Sequence, residues 1–462
     1  MRAYLLFAIG FFPLISTAED WPTYQHDNRR SSVTSETLAL PLKETWHYQS
    51  PTPPQTAWSS PAKWDAYSGN AELQSMRNFD PAFFVTVMGD AVYFGSSVDN
   101  AAHCLDAKTG EARWAYFTNS AVRLPPTIGD NKAWFGSDDG YAYCVDATTG
   151  NLLWRSKPSP DPRLIPSNGK LISLWPIRSG ILLKDGVAYF GASLLPWEPS
   201  YLCAVDAGTG SQGALGRYVR DEIGVTLQGA LLASKDSLYA PQGRSVPLVY
   251  RLVDGERMGG ITGSGGVYCV LTEDEQLISM PANQKEKEDT VRIADGKNRE
   301  TLVSFAGADR MIVSGPLAYF HQGTKLKVID RFKILALQVE IDVFADANEV
   351  REKEKKKSKD KARIAVLDAE IKVAKTQMAT IEARKPTCEL WAKELPTPIG
   401  FMLAGKTLFV GGDGTVAAYQ ADTGDELWKH AVDGRAYGLA AANGQLMVST
   451  DSGSIHCFAS KP

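Results

Sequence analysis

CVDATTGNLLW, residues 144–154, is written almost the same way twice more, as CLDAKTGEARW at 104–114 and YQADTGDELW at 419–428. Each copy has an apolar, strand-like run, an Asp-Ala or Ala-Asp step, Thr-Gly, and a Trp four residues after the Gly. Self-similarity at a period of about 40 residues marks a repeat architecture. The strand before each Thr-Gly turn recovers more units. AVYFG at 91–95 matches AWFG at 133–136 and VAYFG at 187–191. Weaker versions stand at Leu238-Tyr239, Val267-Tyr268, Ala318-Tyr319-Phe320, 408–411 and 446–448, which makes eight. Short alternating runs of aromatic and β-branched residues, bounded by Gly and Asp, are strands. Asp139-Gly140 and Asp413-Gly414 suit two-residue hairpin turns, which need positive φ.

Each unit therefore reads as strand, hairpin, strand, Thr-Gly turn, strand. With one strand before it, this is a four-stranded antiparallel blade. Blades bury their faces only by packing round an axis, so the expected fold is all-β, an eight-bladed β-propeller. In that scheme the Gly supplies a left-handed position, and the Trp lies over the neighbouring blade as a large anchor with one N–H to satisfy. Trp114, Trp154 and Trp428 are accordingly inter-blade contacts. Lys43 to Tyr48 resembles the strand that follows a Thr-Gly turn, and pairing it with the last unit, 445–458, would close the ring and remove an open edge. The spacing is uneven: Tyr239 and Tyr268 are only 29 residues apart, which predicts a blade lacking one strand, whereas Tyr319 and Phe409 are 90 apart, which predicts an insertion.

The insertion has its own period. Ile334, Leu337, Ile341 and Phe344 step by 3, 4 and 3, and Ile364, Leu367, Ile371, Ala374, Met378 and Ile381 by 3, 4, 3, 4 and 3. These are heptad seams. Between them lies REKEKKKSKDK, residues 351–361, with seven basic and three acidic side chains. Two helices of about 20 residues, roughly 30 Å each, fold back as an antiparallel coiled-coil hairpin projecting from the sixth blade and packing on itself. A stiff arm with a basic tip reads either as a solvated spike or as a docking arm.

The chain has 462 residues and a formal net charge of −4, so no general electrostatic pull on nucleic acid exists. Arg2, the apolar run Tyr4 to Ile15 and the small-x-small Ser16-Thr17-Ala18 read as a signal peptide, which places the protein outside the cytoplasm, soluble, in a periplasm or equivalent. That run is too short to span a bilayer. The chain divides into 1–18 (signal), 19–42 (N-terminal extension), 43–330 (first part of the propeller), 331–385 (helical hairpin) and 386–462 (closing blades). Of six cysteines, Cys104, Cys144 and Cys457 occupy the same repeat position and Cys203 lies one residue off it, too far apart for easy bridging. They read as buried apolar residues. The six histidines, His26, His47, His103, His321, His430 and His456, show no metal-ligand spacing. Gly263-Ser264-Gly265-Gly266 lacks the Lys and helix of a phosphate loop and the spacing of a nucleophile elbow. No catalytic or metal-binding residue is assigned, and no cofactor-binding residue can be named.

DAKTGEARW, DATTGNLLW and QADTGDELW, with DAGTG at 206–210 as a copy lacking its Trp, resemble the repeats of the pyrroloquinoline-quinone-like β-propeller superfamily. That group includes quinoprotein alcohol dehydrogenases and the outer-membrane β-barrel assembly lipoprotein. The opening DWPTYQHDNRR, 20–30, and the helical hairpin look like exported bacterial members. For a dehydrogenase the resemblance implies a vicinal Cys-Cys bridge, a calcium ion on acidic and amide side chains, and an Asp base. This chain has no adjacent cysteines, no Asp-x-Asp cluster and no Cys-x-x-Cys-His. The lipoprotein would carry a lipidated Cys after its signal, and none follows here. The favoured reading is a scaffold or assembly factor with a protein partner, or a small-molecule ligand in the central channel. The alternative is a dehydrogenase of alcohols or sugars using pyrroloquinoline quinone and calcium.

Overall fold

The computed structural model describes residues 19–58, 79–212, 217–243, 245–263, 265–266, 268–280, 289–395 and 398–460. The signal-peptide reading of 1–18 falls outside them. Six four-stranded antiparallel sheets follow one another along the chain. An eight-stranded sheet holds two more such units, because the 17-residue strand Glu426–Ala442 ends one and begins the next. These are four-stranded units of the kind that form propeller blades. Within each, the first strand is buried and the fourth exposed: Val85–Met88 is almost wholly buried, whereas Ala112–Phe117 is mostly exposed.

Leu42–Gln49 pairs antiparallel with Ser454–Ser460, so the first long strand supplies the fourth strand of the last unit. This is the closing pair expected from sequence. The short blade expected between Tyr239 and Tyr268 is not found. Tyr268 begins the first strand of the fifth sheet, Tyr268–Leu271, and Gln276–Met280 is the second. Inner strands are buried on both faces and carry the same apolar signature as second strands, so one passed for the other.

Thr-Gly and Trp interlock successive sheets. The Trp154 indole N–H donates to Ala207 O at 3.0 Å, and a Cβ at Gly210 would come within 2.7 Å of that ring. Gly210 stands at φ +70°, so glycine is required there for two reasons. Trp114 repeats the arrangement with Ala147 and Gly150, Trp46 with Ala107 and Gly110, and Trp391 with Ala421 and Gly424. Trp428 donates to Leu42 O at 3.0 Å, across the closing seam. All six cysteines are buried free thiols. Burial pushes Cys104, Cys144, Cys269 and Cys457 up to about 12, so they are inert core residues.

Helices α1 (Arg331–Lys357) and α2 (Lys361–Glu382) enter between the third and fourth strands of the sixth sheet. Asp330 caps α1 by accepting from Lys333 N, and Asp360 caps α2 by accepting from Ala362 N. Arg384 pairs with Glu340, Arg351 with Glu370 and Arg363 with Glu354, so partners descend on α2 as they ascend on α1. The helices are antiparallel. Ile334, Leu337, Ile341, Leu367, Ile371, Ala374 and Ile381 are buried between them. The pair does not pack on itself alone, as the sequence suggested. Ile334, Leu337, Ile341 and Ile381 share one apolar cluster with Val303, Met311 and Phe320 of the sheets. Arg331 adds a 2.7 Å ion pair to Asp274.

Candidate functional site

Residues 20–36 form a strap across the end of the first strand of each sheet. Trp21 bridges Val87, and Ile128 N donates to Pro22 O. The Asn28 amide donates to Leu183 O at 2.7 Å, and Ala233 and Leu271 donate to Asn28 O and Arg29 O, both at 2.9 Å. Ser31 and Val33 line a 220 Å³ cavity with Val313 and Ser314 of the sixth sheet. Val33–Thr34 pairs in parallel with Leu403–Ala404, and Gly444 N donates to Glu36 Oε1. The strap is tightly curled: Gln25, His26, Arg30 and Ser32 all have φ between 54° and 82°. Such backbone persists only where surroundings over-determine it. Here Arg30, 2% exposed, provides the determination by donating to Leu231 O, Thr23 Oγ1, Tyr24 O and Asp27 O. Burial lowers its pKa to about 10.

Tyr24 of the strap joins Phe79, Phe84, Leu124 and Ala230, which lie in the segments before the first strands, in one apolar cluster. Next to it an ion lattice ties the first three sheets together. Arg123 bridges Asp80 at 2.6 Å and Asp138 at 2.7 Å, and Arg178 holds Asp138 at 2.9 Å; all four are at most 5% exposed at the side chain. Burial opposes ionisation of Asp138, yet Arg123 and Arg178 hold its carboxyl below the usual range. Beside this lattice opens a cavity of about 450 Å³ lined by Pro54, Thr56, Pro81, Arg310, Arg435, Tyr437 and Asp451. Asp451 accepts from Arg435 Nε at 2.7 Å. Arg310 Nε is buried with no hydrogen-bond partner among the described residues. A guanidinium with an unpaired Nε–H, a phenol ring and proline walls suit a small anion with an apolar body.

No linear motif announced this mouth, because its residues come from the sixth sheet, the last unit of the eight-stranded sheet and the loops before the first sheet. The histidines stay dispersed, with one exception: His47 and His456 meet beside Glu44. His103 pairs with Asp99 and His321 with Asp309. Around Gly263–Gly266, Gly266 forms an isolated bridge to Gly243, which is consistent with turn structure; Ser264 lies outside the described residues.

Radially repeated four-stranded sheets, interlocked by Thr-Gly and Trp, define a pyrroloquinoline-quinone-like β-propeller. The model of the family described as outer membrane protein assembly factor BamB matches residues 50–214 and 377–461, over half of the chain, and the protein belongs to that family. No curated protein matches it in sequence. Among solved structures it is similar to the quinohemoprotein alcohol dehydrogenase ADHIIG of Pseudomonas putida HK5, with 11% identity and a TM-score of 0.58 over 96% of this chain and 81% of that one. A europium-containing methanol dehydrogenase gives 11% and 0.55 over 96% and 98%. The computationally designed protein Ika8 gives 12% and 0.53 over 84% and 98%. An enzyme and a design at equal distance share the fold and no more.

The unmatched stretch, 215–376, holds the fourth and fifth sheets, the first three strands of the sixth and most of the helix pair; within it Tyr218 packs on Gly255 where the matched repeats use Trp. Among the described residues the donor set implied for a quinone and calcium does not assemble. No two cysteines are adjacent, all six are dispersed in the core, and at the mouth Asp80, Asp138 and Asp451 are each engaged by arginine.

Proposed function

We propose that the protein is an exported docking scaffold: a closed ring of eight blades from which the helix pair projects as a coiled-coil arm that carries a protein partner. In this reading 19–42 is the strap, 43–330 and 386–462 the ring and 331–385 the arm. The family's description as an assembly factor supports an assembly role. The observation that carries the proposal is a second apolar seam on α1. Phe332, Ala336, Val339, Val343, Ala347 and Val350 recur at heptad-like spacing on the side away from the buried seam. Val339, Val343 and Val350 are 62–65% exposed. Val366 and Val373 of α2 are exposed beside them. An apolar row of this length is covered by a partner helix in helix-in-groove recognition. At the tip Lys356, Lys357, Lys359 and Lys361 are exposed and form no ion pair among the described residues, so the partner helix is acidic at that end.

Site-specific photocrosslinking in the native host tests this. Probes at Val343 and Val350 are expected to yield the same protein adduct, absent from a probe at exposed Phe117 on the rim. Adducts from Phe117 alone, or from none of the three, would overturn the arm. Arg310 in the 450 Å³ mouth favours a second reading, a small anionic ligand. Titration with pyrroloquinoline quinone and calcium separates the two: one site per chain at micromolar affinity, with alcohol oxidation, would replace the scaffold by the dehydrogenase. Export is read by terminal sequencing of the secreted chain, expected to begin at Glu19.

A further inference from the structure

The seam where the ring closes brings together Glu44, His47 and His456, whose ligand atoms lie within 4.8 Å of one another. We propose that these three residues form a site for a divalent transition metal of the zinc or copper class, which clasps the first long strand to the last.

The grouping depends on a bulge. Residues three apart on a regular strand point to opposite faces, so Glu44 and His47 should not meet. Leu42–Gln49 instead shifts register against Ser454–Ser460 between Glu44 and Trp46: Glu44 stands opposite Phe458, while His47 stands opposite His456. The extra residue at Thr45 reverses the parity. Glu44 and His47 therefore share the face that carries His456. Trp46, on the other face, remains free to lock onto Ala107.

The donors suit the metal. His47 and His456 stack with ring centroids 4.4 Å apart and an interplanar angle of 5°. Glu44 Oε1 lies 2.8 Å from His456 Nδ1, and the backbone N–H of Asp433 points at His456 Nε2 from 3.4 Å. That arrangement places a proton on Nδ1, facing the carboxylate. A metal ion takes the place of this proton, which moves through solvent to Nε2, so that His456 stays a neutral imidazole, the long contact from Asp433 N–H is given up, and Nδ1 and Oε1 become ligands. His47 is exposed and makes no hydrogen bond among the described residues, so it is free to turn out of the stack and supply the third donor. Two imidazoles and one carboxylate are a recurrent zinc set, and the fourth position is left to water. Soft-acid preference for imidazole over oxygen sets excludes magnesium and calcium as natural occupants.

Glu44 and His456 are 412 residues apart in sequence, so a bound ion would cross-link the ends of the ring. Metal binding confined to the folded state raises stability by mass action. The test uses the full-length protein prepared without a polyhistidine tag and stripped by chelator. Zinc titration by calorimetry is expected to show one site per chain at micromolar affinity and a raised melting temperature that chelator reverses. Glu44→Gln and His47→Ala, both at exposed positions, should fold with the unliganded melting temperature and lose affinity at least tenfold. Copper-loaded protein should show two nitrogen couplings by electron paramagnetic resonance, falling to one in His47→Ala. No heat at millimolar zinc, or zinc affinity in both variants equal to that of the unsubstituted protein, would overturn the clasp.

Discussion

Trp154 touches the next sheet through two kinds of contact, a ring face on Gly210 and an N–H on Ala207 O. Removing a buried Trp costs about 3–5 kcal/mol, and Trp154→Ala is expected to lose that much in urea unfolding. Gly210→Ala should cost about 1–3 kcal/mol through overpacking and its positive φ. Because the overpacking partner is Trp154 itself, the double variant should fall well short of the sum. Strict additivity would show that the two residues do not meet. This role was legible in the sequence, since a Trp at fixed distance from a Thr-Gly turn needs only local geometry to be understood. His26 was not legible. Burial pushes its pKa below 6.5 in spite of Asp27 and Glu19, with Arg29 adding to the lowering. The folded strap therefore holds a neutral His26, while the unfolded chain takes up a proton near 6.5. Its stability is whole above that value and declines as pH falls below it. Glu19, its carboxyl held below 4.5 against burial by Thr34 and Ser35, adds a second loss at lower pH. Hydrogen exchange at Trp21 and Val87, corrected for intrinsic rate, should quicken from about pH 7.5 to about pH 5.5. The change should vanish in His26→Gln.

At the scale of elements, the helix pair has two halves with different duties. The base buries Ile334, Leu337, Ile341 and Ile381 against the fifth and sixth sheets. Among the described residues, none from Ala345 to Gln377 belongs to the apolar cluster shared with the sheets; this outer half buries Asn348, Leu367, Ile371 and Ala374 and pairs Arg351 with Glu370. Deleting 345–377 with a short turn between the cut ends should leave the melting transition of the ring within a few degrees. Deleting 335–384 should lower it by more, because Met311 and Phe320 lose their cover. Equal melting of the two deletions would show that the base carries no load. The heptad steps announced two helices and their pairing. They could not announce that the same seam continues into the ring, since a heptad records burial and not the identity of what buries it.

In the whole molecule, both the first and the last described segments take part in closing the ring. The strap ties the first strands of the sheets from one side, and Leu42–Gln49 completes the last sheet. First strands run toward the strap, so the turn between third and fourth strands also lies on the strapped face, and the helix pair emerges there. The 450 Å³ mouth lies on the opposite face. The helix pair and the mouth are thus separated by the thickness of the ring, so a ligand of the kind proposed for the mouth would leave the proposed docking arm sterically free.

What the sequence by itself determined is whatever repeats or alternates: the four-strand unit, the Thr-Gly and Trp interlock, the helical insertion and the closing strand. Each is written in contacts between residues close in the chain or at equivalent places in a period. The tertiary structure alone decided the rest. The strap acts largely through backbone amides and carbonyls, which every residue type has. The lattice of Asp80, Arg123, Asp138 and Arg178 joins residues from separate loops. Glu44 and His47 share a face only because a bulge changes the parity of one strand. These are long-range placements, and no local pattern encodes them because their partners are supplied by the ring.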